Sequence, residues 1–92
     1  MTKTLGNYKG NYVELCVTTS GIIGEKTARM LIENHVSFTK NKRHIPFYKR
    51  DKFSGAKTVW VISTSPRQYP QARRLIDQMD MFYRQRLVLS NY

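Results

Sequence analysis

Residues 57–64 read KTVWVIST, the strongest strand pattern in the chain. It consists almost entirely of β-branched and aromatic residues, the composition of a strand that packs on a core. The Ser65-Pro66 pair that follows is a helix-start signal, with serine as the cap and proline in the first turn. We therefore predict a strand over 57–64 that leads into a helix.

A helix and a final strand are predicted after it. Residues that fit one face of a helix recur at intervals of three or four: Tyr69, Ala72, Ile76 and Met79. Arg73 and Asp77 are four residues apart, which predicts an ion pair along that helix. The segment 83–92, YRQRLVLSNY, predicts a last strand around Leu87-Val88-Leu89.

The N-terminal half repeats the order of strand and helix. Residues 12–18, YVELCVT, alternate in hydropathy, so Val13, Leu15 and Val17 are expected on one face of a strand. A break at 19–24 precedes a second helical stripe: Ala28, Leu31, Ile32 and His35. His35 is interpreted as a core or helix-end residue. Residues 36–40, VSFTK, predict the start of another strand.

The resulting order, βαββαβ, predicts a single α+β domain over residues 1–92. The economical arrangement is a ferredoxin-like sandwich, a four-stranded antiparallel sheet with two helices on one face. Right-handed crossovers place the first and third strands at the centre and leave the other face open. Residues 1–10 are expected to form a flexible arm.

Charge is the unusual feature of the composition. Sixteen lysines and arginines against six acidic residues give a formal net charge of +10. Such an excess destabilises a compact monomer through self-repulsion, and a polyanionic partner would relieve it. The alternatives are an acidic protein surface as partner, or solvated lysines without one.

Residues 40–57, KNKRHIPFYKRDKFSGAK, concentrate this charge. Pro46 and the Ser54-Gly55 pair argue against a regular central strand, so a basic loop or hairpin is predicted, with Ile45, Phe47 and Phe53 turned inward. Its cations could bind phosphates and its rings could stack on unpaired bases. The candidate nucleic-acid-binding residues here are Lys40, Lys42, Arg43, His44, Tyr48, Lys49, Arg50, Lys52 and Lys57.

The open face of the sheet supplies further candidates. If Val59 and Val61 point inward, Trp60 points outward beside Tyr12 of the first strand, and the two rings would form a stacking platform. The alternative places Trp60 under the helices or in a dimer interface. Arg84 and Arg86 could extend the phosphate-binding surface.

Catalytic and cofactor motifs are weak or absent in the sequence. Gly21 and Gly24 are spaced too closely for a Walker A loop, and a plain strand-to-helix turn is the preferred interpretation. His44 could serve as a ribonuclease base, but no second acid is well placed. The carboxylates are scattered singly, so neither a metal site nor a cofactor is predicted.

Cellular context follows from simple exclusions. Cys16 is the only cysteine, which rules out an internal disulfide and fits a reducing cytoplasm. The first ten residues lack the apolar core of a signal peptide, and no apolar run is long enough to span a membrane. We therefore expect a cytoplasmic protein.

The primary hypothesis is a non-catalytic nucleic-acid-binding protein that favours RNA over DNA. The alternative is a small basic phage or mobile-element inhibitor or adaptor that binds a host nuclease or another host protein. The third hypothesis is a small ribonuclease or toxin. A homodimer is also expected, because an exposed last strand or an open sheet face seeks cover.

Overall fold

The computed structural model describes residues 11–46, 48 and 55–89, together with the backbone strand at residues 3–4. In chain order the elements are β1 (Lys3–Thr4), β2 (Val13–Thr18), α1 (Gly21–Glu33), β3 (Phe38–His44), β4 (Thr58–Thr64), α2 (Tyr69–Asp77), α3 (Met81–Arg84) and β5 (Val88–Leu89). One turn of 3-10 helix, Pro66–Gln68, joins β4 to α2.

The strands form one antiparallel sheet in the order β1-β3-β4-β2-β5. The four strands expected from the sequence are all present, and the first and third of them, β2 and β4, lie at the centre. Within the predicted N-terminal arm, the two residues of β1 pair with Lys40 and Thr39 of β3. The rest of that arm lies outside the described residues.

The third strand is longer than the hydropathy pattern indicates. The pattern fades at Lys40, whereas β3 continues to His44 and pairs with β4 along its whole length, from Phe38 opposite Thr64 to His44 opposite Thr58. Cross-strand pairing outweighs the low strand propensity of lysine, asparagine and arginine here. The first part of the predicted basic loop is therefore a β-strand.

The core lies between the sheet and the two longer helices. It is built from residues of β2, α1, β3, β4 and α2 together with the segments that join them: Leu15, Cys16, Ile23, Ala28, Leu31, Val36, Phe38, Ile62, Ala72, Ile76 and Leu87. Helix α1 begins at Gly21, where the Ser20 hydroxyl accepts a hydrogen bond from the backbone N–H of Ile23. In the part of the chain that the structure describes, none of the helices has both the length and the hydrophobicity of a transmembrane span.

The predicted inner face of α1 is partly wrong. Ala28 and Leu31 are buried as expected, but Ile32 is 48% exposed, and Thr27 lies in the core side of the helix instead. His35 lies just past the C-terminal cap and adopts a left-handed backbone with φ of 58°. It therefore ends the helix, which confirms one of its two predicted roles.

A β-bulge in β2 changes which side chains face the helices. Val13 pairs with Thr64 and Glu14 with Ser63, but the register then shifts so that Cys16 pairs with Ile62. The extra residue, Leu15, stays in the core, and Val17 turns to the opposite face. The expectation that Val13, Leu15 and Val17 share one face is therefore wrong, because a bulge reverses the alternation.

The sheet face opposite the helices carries a second buried cluster. Val17, Val59 and Val61 lie there, joined by Ile45 and flanked by Ala56 from the connection between β3 and β4. All four clustered side chains are nearly inaccessible to solvent. The prediction that this face is open is wrong at its centre, whereas the inward position of Ile45 is confirmed.

The buried Cys16 thiol makes the stability of the fold sensitive to high pH. Burial, with a smaller effect from the Glu14 carboxylate, raises its pKa from 9.0 to about 12. The folded state then keeps the thiol protonated while the unfolded chain ionises, so this contribution is complete below pH 9 and is lost between pH 9 and about 12.

We expect the parent to lose about 2 kcal/mol relative to the Cys16→Ala variant between pH 8 and roughly pH 10.5. The measurement is the urea-unfolding free energy of both proteins at each pH. The variant serves as the reference because lysine and tyrosine titrations affect both proteins equally. A difference that stays constant across this range would contradict the assigned pKa.

Candidate nucleic-acid interface

One end of the sheet gathers most of the predicted binding residues. At this end, called the hairpin end below, β2 finishes at Thr18, β3 finishes at His44 and β4 begins at Thr58. The start of α1 follows directly from β2 and so lies at the same end. The opposite end, called the far end, holds the pair of Phe38 and Thr64.

Trp60 lies at the hairpin end on the side of the sheet that faces the helices. It pairs across the strands with Thr18 and Lys42, and its indole is half-buried. The Lys40 and Lys42 ammonium groups lie over the ring, 4.6 and 5.5 Å from its centroid. Such contacts place cations against the negative face of the aromatic system.

The predicted platform of Tyr12 and Trp60 on an open sheet face is therefore wrong. Trp60 is on the helix side because Val59 and Val61, its neighbours, pack in the second cluster. Tyr12 precedes Val13, which pairs with Thr64 at the far end. Thr64 lies four residue steps from Trp60 along β4, or about 13 Å. The two rings cannot stack on adjacent bases as predicted.

Lys40 is a packing residue and not an exposed cation. It is 4% exposed, and its ammonium group forms an ion pair and hydrogen bond with the Glu25 carboxylate of α1. Its stem passes under α1, where a Cβ atom added to Gly24 would lie 3.4 Å from its Cε. The prediction that Lys40 belongs to an exposed loop is wrong, because β3 carries it beneath the helix.

The two glycines of the Gly21-Ile-Ile-Gly24 segment allow α1 to approach the sheet closely. Both belong to the first turns of the helix, and Gly24 is buried. A Cβ at Gly24 would also contact Trp60, and one at Gly21 would lie 3.5 Å from the indole Nε1. The prediction that this motif is a strand-to-helix turn is wrong in its bounds, because the helix already begins at Gly21 and the motif forms its first turn. Its glycines serve packing.

The exposed cations of the hairpin end are Lys42, Arg43 and Lys57, with exposed His44 and Tyr48 beside them in the chain. Arg43 Nη2 lies 2.8 Å from Glu14 Oε1 on the sheet face opposite the helices. Among the described residues, neither Lys42 nor Lys57 pairs with a carboxylate. The predicted residues Phe47, Lys49, Arg50, Lys52 and Phe53 lie outside the described part of the chain.

The arginines of the C-terminal third are distributed over several surfaces. Arg67 is exposed in the 3-10 turn after the far end of β4. The predicted pair of Arg73 and Asp77 does not form: Arg73 Nη1 donates to the Tyr69 hydroxyl at 3.3 Å, and Asp77 lies 3.4 Å from Arg84 Nε. Helix α3, which follows α2, brings Arg84 within reach of that carboxylate.

Helix α3 was not predicted from the sequence. Asp80 caps it by accepting a hydrogen bond from the Phe82 N–H at 2.9 Å. The Arg86 guanidinium lies over the Phe82 ring, 4.1 Å from its centroid. The four-residue spacing of Phe82 and Arg86 is the sequence signal for this contact, although the segment was interpreted as a strand.

A shallow groove of about 290 Å³ lies between α1 and α3. Tyr83 lines it, with the Lys26 ammonium 5.0 Å above the ring centroid. Carboxylates of Glu33 and Asp80 share the groove, so its charge is mixed. Within the described ranges, no cluster of three His, Cys, Asp or Glu side chains could hold a metal ion.

The chain matches no protein-family model, no curated protein and no solved structure with which it was compared.

Proposed function

We propose that this protein is a non-catalytic nucleic-acid-binding protein that favours single-stranded RNA and binds it at the hairpin end. One observation carries the proposal: an exposed lysine, Lys42, lies 5.5 Å from the ring centroid of the half-buried indole of Trp60. Where a cation lies beside an aromatic ring, the cation can bind a phosphate and the ring can stack on a neighbouring base of the same strand.

The distribution of acidic groups supports the proposal. Glu25, Glu14 and Asp77 pair with Lys40, Arg43 and Arg84. These carboxylates therefore do not neutralise Lys42 or Lys57. The net charge is +10, and binding of a polyanion to such a chain is favoured because it releases the counterions condensed on the polyanion.

Preference for an unpaired strand follows from the Trp60 ring, which is only half-buried. The indole lies on the helix side of the sheet, close to Gly21 and Gly24 of α1. A base inside a duplex presents only its edge in a groove, whereas an unstacked base can lie on the accessible part of a ring. This access supports single strands over duplexes as the ligand.

We also assign the fold to the ferredoxin-like class. The support is the strand order β3-β4-β2-β5, in which α1 connects β2 to β3 and α2 lies on the path from β4 to β5.

The proposal is tested with two variants that remove one charge each. Lys42→Gln removes a cation at the hairpin end, and we expect about fivefold weaker binding of an oligouridylate dodecamer at roughly 0.1 M salt. Adding Lys57→Gln should bring the loss to about twentyfold. The measurement is fluorescence anisotropy of the labelled oligonucleotide.

Arg67→Gln is the matched control. Arg67 lies beyond the far end of β4, about 20 Å from Lys57 and so about two screening lengths away at this salt concentration. Its substitution is expected to change the affinity less than about twofold. Equal losses for Lys42→Gln and Arg67→Gln would show that binding is not localised at the hairpin end.

A further inference from the structure

The stack of Arg86 on Phe82 has the features of a second contact for a nucleic-acid strand. Arg86 is exposed and Phe82 is 55% exposed, although both carry groups suited to burial in an interface. Arg86 Nη1 also donates a hydrogen bond to the Phe82 carbonyl at 3.0 Å. This bond and the ring contact hold the guanidinium in a fixed orientation.

Arg86 retains its charge for an outside partner. Asp77, the carboxylate of the nearby helix end, pairs with Arg84, and Asp80 caps α3. Among the described residues, Arg86 pairs with no carboxylate. A guanidinium that lies on a ring can still stack a base on its outer face and donate its remaining N–H groups to a phosphate.

The topology puts this stack toward the hairpin end of the sheet. Strand β5 is antiparallel to β2, and Val88 pairs with Val17. The residues that precede Val88 therefore lie toward the end of the sheet where β2 reaches Thr18, the partner of Trp60. Arg86, two residues before Val88, enters the sheet from the end that carries Lys42.

We propose that a single strand crosses the hairpin end from Lys42 and Trp60 to Arg86 and Phe82; this inference rests on the proposed function. The path crosses β3, β4, β2 and β5, which are adjacent in that order. Three inter-strand spacings amount to about 14 Å. We take the bases between the two contacts to stay stacked, at about 3.4 Å per nucleotide, so the path accommodates about four nucleotides.

The test compares an oligouridylate trimer with an octamer. For the parent, the octamer reaches both contacts, whereas the trimer reaches only one of them at a time. We expect Arg86→Gln to weaken octamer binding about tenfold, through the lost charge and the lost stacking, and trimer binding by less than about threefold. Emission from Trp60, the single tryptophan, reports binding without a label.

Two further variants separate stacking from charge and from structure. Arg86→Lys keeps the charge but lacks the planar group, so about half of the octamer loss on a logarithmic scale is expected to remain. Phe82→Leu removes the ring from a largely exposed position. Thermal unfolding of each variant shows whether α3 and its surroundings remain folded, and Arg67→Gln controls for net charge.

Octamer affinities for folded Arg86→Gln and Phe82→Leu that equal the parent's would overturn the path to α3. The proposed function would still stand in that case if Lys42→Gln weakened binding as expected. A parent that binds neither oligonucleotide would instead remove the proposed function itself. Equal losses for trimer and octamer would also overturn the path, because they would place both contacts within three nucleotides.

Discussion

Neutralising the basic segment while keeping Lys40 is expected to reduce affinity for a single strand about 3000-fold at roughly 0.1 M salt. The variant replaces five residues by glutamine: Lys42, Arg43, Lys49, Arg50 and Lys52. If each cation contacts one phosphate, the slope of log affinity against log salt becomes less steep by about 3.5, which gives this loss over a tenfold range of salt. Anisotropy titrations at several salt concentrations measure both quantities.

The fold is expected to tolerate this change. The described members of the set, Lys42 and Arg43, are exposed, and exposed substitutions usually cost less than about 0.5 kcal/mol each. A control variant replaces the exposed helical and turn arginines Arg29, Arg67 and Arg74, and it should lose far less affinity per charge removed. Parent-like binding by the five-residue variant would contradict the account and favour a protein partner.

Lys40→Ala is expected to destabilise the protein by about 3 kcal/mol, although lysine is usually a surface residue. The substitution removes a side chain that is 4% exposed and packs beneath Gly24, together with its ion pair to Glu25 and its contact with Trp60. Glu25 is half-exposed, so its remaining charge can be hydrated and the loss stays below that of a fully buried pair. Chemical denaturation measures the change.

Two other variants make this expectation specific to packing. Lys40→Met keeps most of the side-chain volume and should cost less than the alanine variant. Lys42→Ala, two residues along the same strand but exposed, should change stability by less than about 0.5 kcal/mol. Similar stabilities for Lys40→Ala and Lys42→Ala would contradict the buried position of Lys40.

The order of elements was predictable because each strong pattern had a single interpretation. The alternation in residues 12–18 and the β-branched run in 57–64 correspond to β2 and β4, and both lie at the centre of the sheet. Helices α1 and α2 also fall where their stripes were expected. Element bounds were less predictable: α1 starts at Gly21, and β3 extends to His44 because β4 supplies its partners.

The orientation of individual side chains was not predictable for a physical reason. Leu15 is an extra residue in β2, and it reverses the alternation of side chains after it. Cys16 and Val17 therefore each lie on the face opposite to the one that strict alternation predicts. Strict alternation also misplaced Trp60. It was expected on the open face because its neighbours Val59 and Val61 were expected to face the helices. A bulge leaves no mark in the hydropathy pattern, so only the pairing register reveals it.

Charge alone also could not separate structural cations from binding ones. Lys40 and Lys42 are two residues apart in the same basic run, yet one is buried by α1 and the other is exposed. The short helix α3 was missed because the apolar residues after it indicate a strand. Arg86 was predicted as a binding residue, but its contact with Phe82 required the helix to be recognised.

The most direct test of the central claim is a salt series of Trp60 emission titrations of the parent with an oligouridylate dodecamer. Binding at the hairpin end predicts that emission changes on binding, because Trp60 lies beside Lys42. It also predicts that log affinity falls linearly with log salt, with a slope of about −3.5 or steeper. Saturable binding with unchanged emission, or an affinity that stays flat from low to moderate salt, would contradict the claim.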